Sequence, residues 1–442
     1  MLDCEPTPGW RLPYNHNSMS DSLALPPLAL LRQKYPSRGL ADVPAAARAA
    51  FAAAPWRARV KPGMSVGVAA GSRGIANYDT LVRLVCDHLK DLGAKPFIFP
   101  CMGSHGGATS AGQTAVLQES GITEATMGVA IRSEIVPTHL GQSPATGMEV
   151  YMDAHAHAAD GFLLVNRIKP HTDFAGQLES GMMKMMAMGI GKHRGAQSYH
   201  AYAIRGDRYE AAIRAAASAV LATGKCLGGV MVLEDAFHQT ARIETISPDE
   251  LPGKEERLLA LVKEWVPRLQ VAEVDLLIID EMGKNISGAG LDTKVINRSV
   301  HGDSNTWPTT IIQRIYVRDL TPQTKGNAVG IGLLEGISQR LFEKIEWTST
   351  RVNTLTASTP RNARVPLTFP NDREGVVALL QTAGLLDIAH AKIAWIRNTL
   401  EVAHLAVSHN LRVELEAKIP CEVVQAELPW NFDTAGNLVS PF

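Results

Sequence analysis

The chain has 442 residues, 45% of them hydrophobic, and a formal net charge of −1. That length allows roughly two to three domains with sizeable cores. The near-neutral balance gives no reason to expect nucleic-acid or membrane-surface binding, and no run of about 18 apolar residues argues for a spanning helix. The opening stretch "MLDCEPTPGWRLPYNHNSMSDS" holds early acids and no apolar segment, so it does not read as a signal peptide. Five cysteines (Cys4, Cys86, Cys101, Cys226, Cys421) are scattered with no CxxC pair. Neither a disulfide framework nor a Cys-rich zinc site is suggested, and a reducing cytoplasm fits best.

In chain order, residues 1–25 are polar and rich in Pro, Asn and Ser, and read as an extended arm. "VPAAARAAFAAAPW" is an Ala-rich helix ended by Pro55, and "MSVGVAAG" is a buried strand running into a glycine turn. "YDTLVRLVCDHLKDLG" carries apolar residues at helical period, with Gly93 as its C′ residue. "KPFIFP" is the next strand and ends in "CMGSHGGATS"; the helix after it has Thr109 or Ser110 as its cap. Strand, turn and helix alternate, which argues a parallel sheet with its loops at the carboxyl ends of the strands. "GFLLVNRIKPH" repeats the pattern, "YEAAIRAAASAVLATG" is a helix and "GGVMVLED" a strand. A domain change is placed in the charged helical run "SPDELPGKEERLLALVKEWVPRLQ". Beyond it, "VDLLIIDEMG", "TIIQRIYVRDL" and "AKIAWIRNT" are strands, and "LLEGISQRLFEKI" and "NDREGVVALLQTAG" helices. The expected fold class is α/β: two α/β domains with largely parallel sheets and an active-site cleft between them. The N-terminal domain is expected over residues 1–268, with about 408–442 packing back on it, and the C-terminal domain over 269–407.

Glycine clusters end three strands: "AAGSRGIANYD", "MGSHGGATS" and "GKNISGAGLDT". Backbone amides there suit phosphate, yet none is a Walker loop or a dinucleotide fingerprint, and each also reads as a plain tight turn. Arg73 adds a fork that matches phosphate or carboxylate. "HAHAAD" reads as a surface segment; as a metal site, His155 and His157 would need ligands from elsewhere. His105 and His171 each follow a strand and sit among small residues, where a histidine is either structural or catalytic. Lys184 lies among Met182, Met183, Met185, Met186 and Met188. It reads either as a lysine snorkelling from a Met-rich core helix, or as a partly desolvated amine able to act as nucleophile or phosphate partner. The methionines read as packing. His200 suits a single ligand to a metal held mainly by something else, since one histidine does not hold an ion.

Taken together, the His105 loop, "KPHTDFAG" with His171, Lys184, and His200 sixteen residues further on resemble the lactate racemase family of nickel-pincer-nucleotide enzymes. The resemblance covers the two-domain layout over most of the chain and is closest to a divergent branch. The family's acid-x-Thr-Arg-Pro signature appears here only as "AAGSRGI", and Lys184 follows His171 at a longer spacing than the family's lysine. The resemblance implies a racemase or epimerase that inverts the hydroxyl-bearing carbon of a 2-hydroxy acid by hydride transfer to a nickel-pincer nucleotide. The cofactor would be nickel with pyridinium-3,5-bisthiocarboxylic acid mononucleotide, supplied by cofactor-maturation enzymes as partners. By resemblance, Lys184 is joined to the cofactor, His200 is a nickel ligand, and His105 and His171 are the acid/base pair. Each enantiomer needs a base on its own side, and imidazole, with a reference pKa of ~6.5, suits the task.

A phosphate and a carboxylate also need amides and cations. Arg73 with Ser72 and Gly74 are the candidates after the first strand; Lys294 and Arg298 are cofactor candidates and Lys284 and Asn285 substrate candidates from the second domain. Polar residues Asn166, Asp173, Gln177 and Asn285 favour a hydroxylated substrate such as a sugar acid. Two other classes stay open: an NAD- or nucleotide-dependent oxidoreductase or phosphoryl-handling enzyme built on the glycine loops, and a non-catalytic cofactor-binding protein.

Overall fold

The computed structural model describes residues 24–72, 74–172, 174–206 and 208–442. Nearly all of the arm expected over residues 1–25, and the candidates Arg73 and Asp173, therefore lie outside the described residues. The chain divides into two compact units, one over Tyr35–Pro267 and one made of Arg268–Phe442 with the segment ending at Lys34. Both are α/β.

The first unit is built on a five-stranded sheet. Its strands in chain order are β1 (Ser65–Ala70), β2 (Lys95–Pro100), β3 (Gly161–Ile168), β4 (Cys226–Glu234) and β5 (Thr240–Ile246). Their spatial order is β2-β1-β3-β4-β5, with every pairing parallel except the last. The parallel strands read as continuous apolar runs because both faces are covered. Alternate residues of each strand then serve opposite layers. Phe97, Phe99, Phe162, Leu164, Met231 and Leu233 join one core, and Val66, Val68, Leu163, Val165, Val230 and Val232 the other.

The second layer is closed by the helices Val43–Ala52 and Tyr78–Asp91. The first layer is closed by the turn Gly181–Lys184, the wider π-type turn Met185–Gly189, and the helices Lys192–Ala203, Tyr209–Ala222 and Gly253–Trp265. Met182, Met183 and Met186 are buried in that layer. Local signals act as their chemistry dictates. Gly93 follows the helix Tyr78–Asp91 at φ +76°, and the Thr109 hydroxyl accepts the Gly112 N–H at the start of Ser110–Glu119.

The second unit holds an eight-stranded sheet in the order Leu367–Phe369, Gly336–Ser338, Ile311–Leu320, Glu273–Met282, Ile393–Ile396, His404–Ser408, Leu28–Gln33, Cys421–Leu428. The first five are mutually parallel and the remaining pairings antiparallel. Two expectations are corrected here. Residues 408–442 belong to the second unit and not to the first: Cys421–Leu428 pairs with Leu28–Gln33, and the Trp430 indole N–H donates to Pro26 O at 2.8 Å, so segments far apart in the chain complete this sheet. The segment "LLEGISQRLFEKI" is not one helix: its middle is the buried strand Gly336–Ser338, followed by the short helix Gln339–Glu343.

One interaction fixes the helix Lys192–Ala203 against the sheet. Lys192 takes φ +54°, an uncommon conformation for a side chain of its size. Its ammonium lies 2.9 Å from Asp153 Oδ2 with neither side chain exposed, donates to the Pro100 carbonyl at the end of β2, and reaches Gln113 Oε1 at 3.4 Å. Removing one partner leaves the other charge buried and uncompensated. Lys192→Met is expected to cost about 3–5 kcal/mol in urea unfolding. Adding Asp153→Asn should return part of that loss, because the two residues share one interaction.

Candidate active site

The carboxyl ends of β1–β4 form one edge of the first unit. From β1 the chain moves to β2 on one side, then crosses to β3 on the other side of β1. Successive connections therefore diverge between β1 and β3, the point where open parallel sheets leave a crevice. The loops that meet there are 71–76 after β1, 101–109 after β2, 169–180 after β3 and 235–239 after β4. His105 is on the second and His171 on the third.

The frame of this edge is hydrogen-bonded from beneath. The buried Tyr78 hydroxyl accepts the Gly71 N–H at 2.6 Å and donates to Val165 O at 3.2 Å, tying the end of β1 to β3. Burial pushes its pKa well above the ordinary phenol value, so it stays a neutral hydroxyl. Glu234, the last residue of β4, accepts the Ala76 N–H at 2.9 Å with one oxygen and pairs with Arg167 of β3 through the other. Glu179 does the same for the β3 loop. Its fully buried carboxylate accepts the N–H groups of His171 (2.7 Å) and Gly176 (2.9 Å) and meets Lys263 Nζ at 2.6 Å. The Ser180 hydroxyl accepts the Lys169 N–H at 2.8 Å.

Aromatic contacts link these side chains in a row. The His171 ring lies 4.5 Å from Phe174, Phe174 stacks on Tyr209 at 4.9 Å, Tyr209 lies 6.2 Å from Tyr199, and Tyr199 meets His200 edge-on at 5.2 Å. Lys184 places its ammonium 5.7 Å from the centre of the same Phe174 ring. Phe174, Tyr199 and Tyr209 are buried, while His171, Lys184 and His200 are half-buried at the ends and side of this run. Lys184 is the last residue of an α turn, and the five residues after it form a π-type turn. Such widened turns are uncommon and frequent at functional positions.

His105 is exposed. Its loop is seated by the Gln113 amide, which donates to Met102 O (2.6 Å) and Gly103 O (3.1 Å). A methyl group at Gly103 would stand 2.8 Å from Ala196 Cβ, so the loop rests on the helix Lys192–Ala203 one turn before His200. The neighbouring thiol of Cys101 is buried, and burial pushes its pKa up, away from reactivity.

Other candidates fare differently. Ser72 is half-buried and Gly74 exposed with open space around it. Lys284, Asn285, Lys294 and Arg298 belong to the other unit, on the loop that follows Glu273–Met282. Lys284 Nζ donates to Asn353 Oδ1 (3.0 Å), Asn285 Oδ1 accepts from the Thr321 hydroxyl (2.6 Å), and Lys294 Nζ lies 5.4 Å from the Trp307 ring. Arg298 is a correction. It is buried, and its guanidinium binds Ile312 O at 3.0 Å, Asn297 O at 3.2 Å and Glu335 Oε1 at 3.2 Å, so it braces a strand and does not present a fork to a phosphate.

Two of the polar candidates are engaged within the protein. Asn166 Nδ2 donates to Gly181 O and Gln177 Oε1 accepts from Arg214, so these amides serve the protein. The histidines of "HAHAAD" sit on the short helix Ala154–Ala158, with His155 edge-on to Phe97. Among the described residues, no group of three or more His, Cys, Asp or Glu is gathered as metal ligands would be, and no helix is long and apolar enough to cross a membrane. Sequence reading missed Phe174, Glu179, Tyr199, Tyr209 and Glu234. The traces were slight: a charged residue ending an apolar strand, and an aromatic residue three positions after a loop histidine.

The edge defines a class first: a parallel α/β unit with a histidine on each of two neighbouring strand-end loops. Residues 60–280, half of the chain, match the model of the family described as "Domain of unknown function (DUF362)", and the chain belongs to that family. No curated protein matches the sequence. Among solved structures, the fold is similar to the lactate racemase apoprotein from Thermoanaerobacterium thermosaccharolyticum, at 12% identity and a TM-score of 0.51 over 85% of this chain and 99% of that one.

The frame gives a direct test. Tyr78→Phe leaves the buried Gly71 N–H without its acceptor and is expected to cost about 1–3 kcal/mol in urea unfolding. A variant as stable as the wild type would remove Tyr78 from the frame.

Proposed function

We propose that this protein is an isomerase, a racemase or epimerase that inverts the hydroxyl-bearing carbon of a 2-hydroxy acid with the help of a nickel-pincer nucleotide. The observation that supports the reading is the run Phe174–Tyr209–Tyr199, which touches His171 and Lys184 at one end and His200 at the other. The residues fit the group. A lone imidazole and an amine do not make a metal site by themselves, whereas they suit a cofactor that carries its own donors to the metal. Lys184 and His200 would hold it, with the amides at Ser72 and Gly74 facing its phosphate. When bound, such a nucleotide supplies a reversible acceptor for hydride.

The chain's own residues do the rest. His105 and His171, on the loops after β2 and β3, each serve one enantiomer. The neutral imidazole on one side takes the hydroxyl proton of the acid, and the imidazolium on the other side returns a proton to the product oxygen. An imidazole titrating near ~6.5 both accepts and releases a proton close to neutrality. The Glu179 carboxylate fixes the His171 main chain, so the ring keeps its place while its charge changes.

Protein matured with the cofactor-building enzymes is expected to contain nickel and to exchange configuration in a panel of 2-hydroxy and sugar acids without added NAD. Nickel-loaded protein that leaves every acid unchanged would overturn the reading. His105→Ala and His171→Ala should each lower turnover by about 10²-fold or more, and full activity in either variant removes that residue from the pair. Lys184→Ala is expected to lose the cofactor on desalting. Intact-protein mass of the wild type then tells a bonded cofactor from one that only lies beside the amine.

A further inference from the structure

A carboxyl group that the proposed chemistry does not use lies under the Lys184 turn. Glu255, in the first turn of the helix Gly253–Trp265, is 1% exposed. Its Oε2 accepts the N–H groups of Met182 at 2.9 Å and Met183 at 3.3 Å, while Oε1 is buried with no hydrogen-bond partner. Gly181 makes room for it: the residue takes φ +76°, and a methyl group there would stand 2.5 Å from Glu255 Cδ. Glycine is needed twice over, for the left-handed backbone and for the space. The Asn166 amide holds the other side of the same residue by donating to Gly181 O at 3.2 Å.

We infer that Glu255 is a positioning residue for Lys184, because its carboxyl holds the two amides that start the turn on which the amine is presented. The two N–H groups are among those a helical start leaves without an intrahelical partner. With them held, the chain enters the α turn at Gly181 and the wider turn at Met185 at fixed places. The inference deepens the reading of Lys184 as a cofactor-binding residue and rests on it for its functional meaning, but the geometry it concerns exists without cofactor.

Among the described residues no ion pair reaches Glu255, and the neighbouring Glu256 adds a like charge. Charged groups on the elements packed against it have other partners: Glu210 and Glu256 pair with Arg214, Lys254 with Glu244 and Glu250, Arg167 with Glu234, and Lys263 with Glu179. Burial pushes the Glu255 carboxyl up to about 8, with the two amides pulling only partly the other way. It therefore holds the turn as a neutral acid at neutral pH. A carboxyl whose pKa is higher folded than unfolded lends stability that is greatest in acid. That stability is lost as pH rises from the ordinary carboxylate range to about 8, and levels off above it.

The test uses cofactor-free wild type, Glu255→Gln and Glu255→Ala. Amide exchange is followed over residues 181–190, and Lys184 is labelled by reductive methylation with formaldehyde and mapped by peptide mass. Glu255→Ala is expected to speed exchange in that segment by about tenfold or more and to change the Lys184 labelling rate several-fold, with β1 within about twofold of wild type. Glu255→Gln, which keeps shape and an acceptor, should stay within about twofold in all three readouts. An alanine variant that leaves the segment and Lys184 as in wild type, or loosens the whole unit alike, would overturn the inference.

If Glu255→Ala does not fold, the pH profile decides. The wild-type unfolding midpoint should fall relative to Glu255→Gln between about pH 5 and pH 8, and parallel profiles would count against Glu255. None of these readouts needs the nucleotide. Normal positioning with no hydroxy-acid chemistry would sink the proposed function alone, and a Glu255→Ala variant whose turn and Lys184 labelling match wild type would sink this inference alone.

Discussion

Four parallel strands buried on both faces leave only their ends as places where polar side chains reach solvent. The rest of the first unit depends on that constraint. Both core layers are apolar across the strands, so charged and hydrogen-bonding residues collect at the carboxyl edge, where β3 ends in Arg167 and Ile168 and β4 in Glu234. Loops there have few main-chain partners of their own, and buried carboxylates supply them. Glu234 takes an amide of the β1 loop and Glu179 two of the β3 loop. The histidines stand on loops whose backbones are fixed by side chains a short way further on, Glu179 for His171 and Gln113 for His105.

This explains which parts were legible in the sequence. The central parallel strands of both units read clearly because a doubly covered strand is an unbroken apolar run, and helices such as Tyr78–Asp91 carry their period within themselves. What escaped was non-local. Leu28–Gln33 has no pattern that announces pairing with Cys421–Leu428 at the other end of the chain. Phe174 and Tyr209 stack across a long separation, and Glu255 reaches Met183 across 72 residues. Arg298 misled for the opposite reason. Its type is right for phosphate and its neighbourhood is rich in glycine, yet only the fold reveals that main-chain carbonyls surround it.

The methionine tract shows why side-chain type mattered there more than hydrophobicity. An α turn that passes into a π-type turn changes the direction of successive side chains, and a straight, unbranched thioether follows that change more readily than a β-branched residue. Met182 lies against Gly229 of β4, and Met185 reaches toward Gly71 at the end of β1. The tract thus fills an irregular space between a sheet and an interrupted helix, and leaves Lys184 at the break.

The buried pair of Lys192 and Asp153 also has a meaning for how the molecule assembles. Neither charge tolerates the interior alone, so the two segments that bear them are stable in the core only when docked together. Between them in the chain lie β3, the His171 loop and the Lys184 turn. Everything in that interval is committed to its place when the pair closes. A chain that has made β1 and β2 but not this pair would have a hydrophobic sheet and an open carboxyl edge, and the strand ends would gain their shape last.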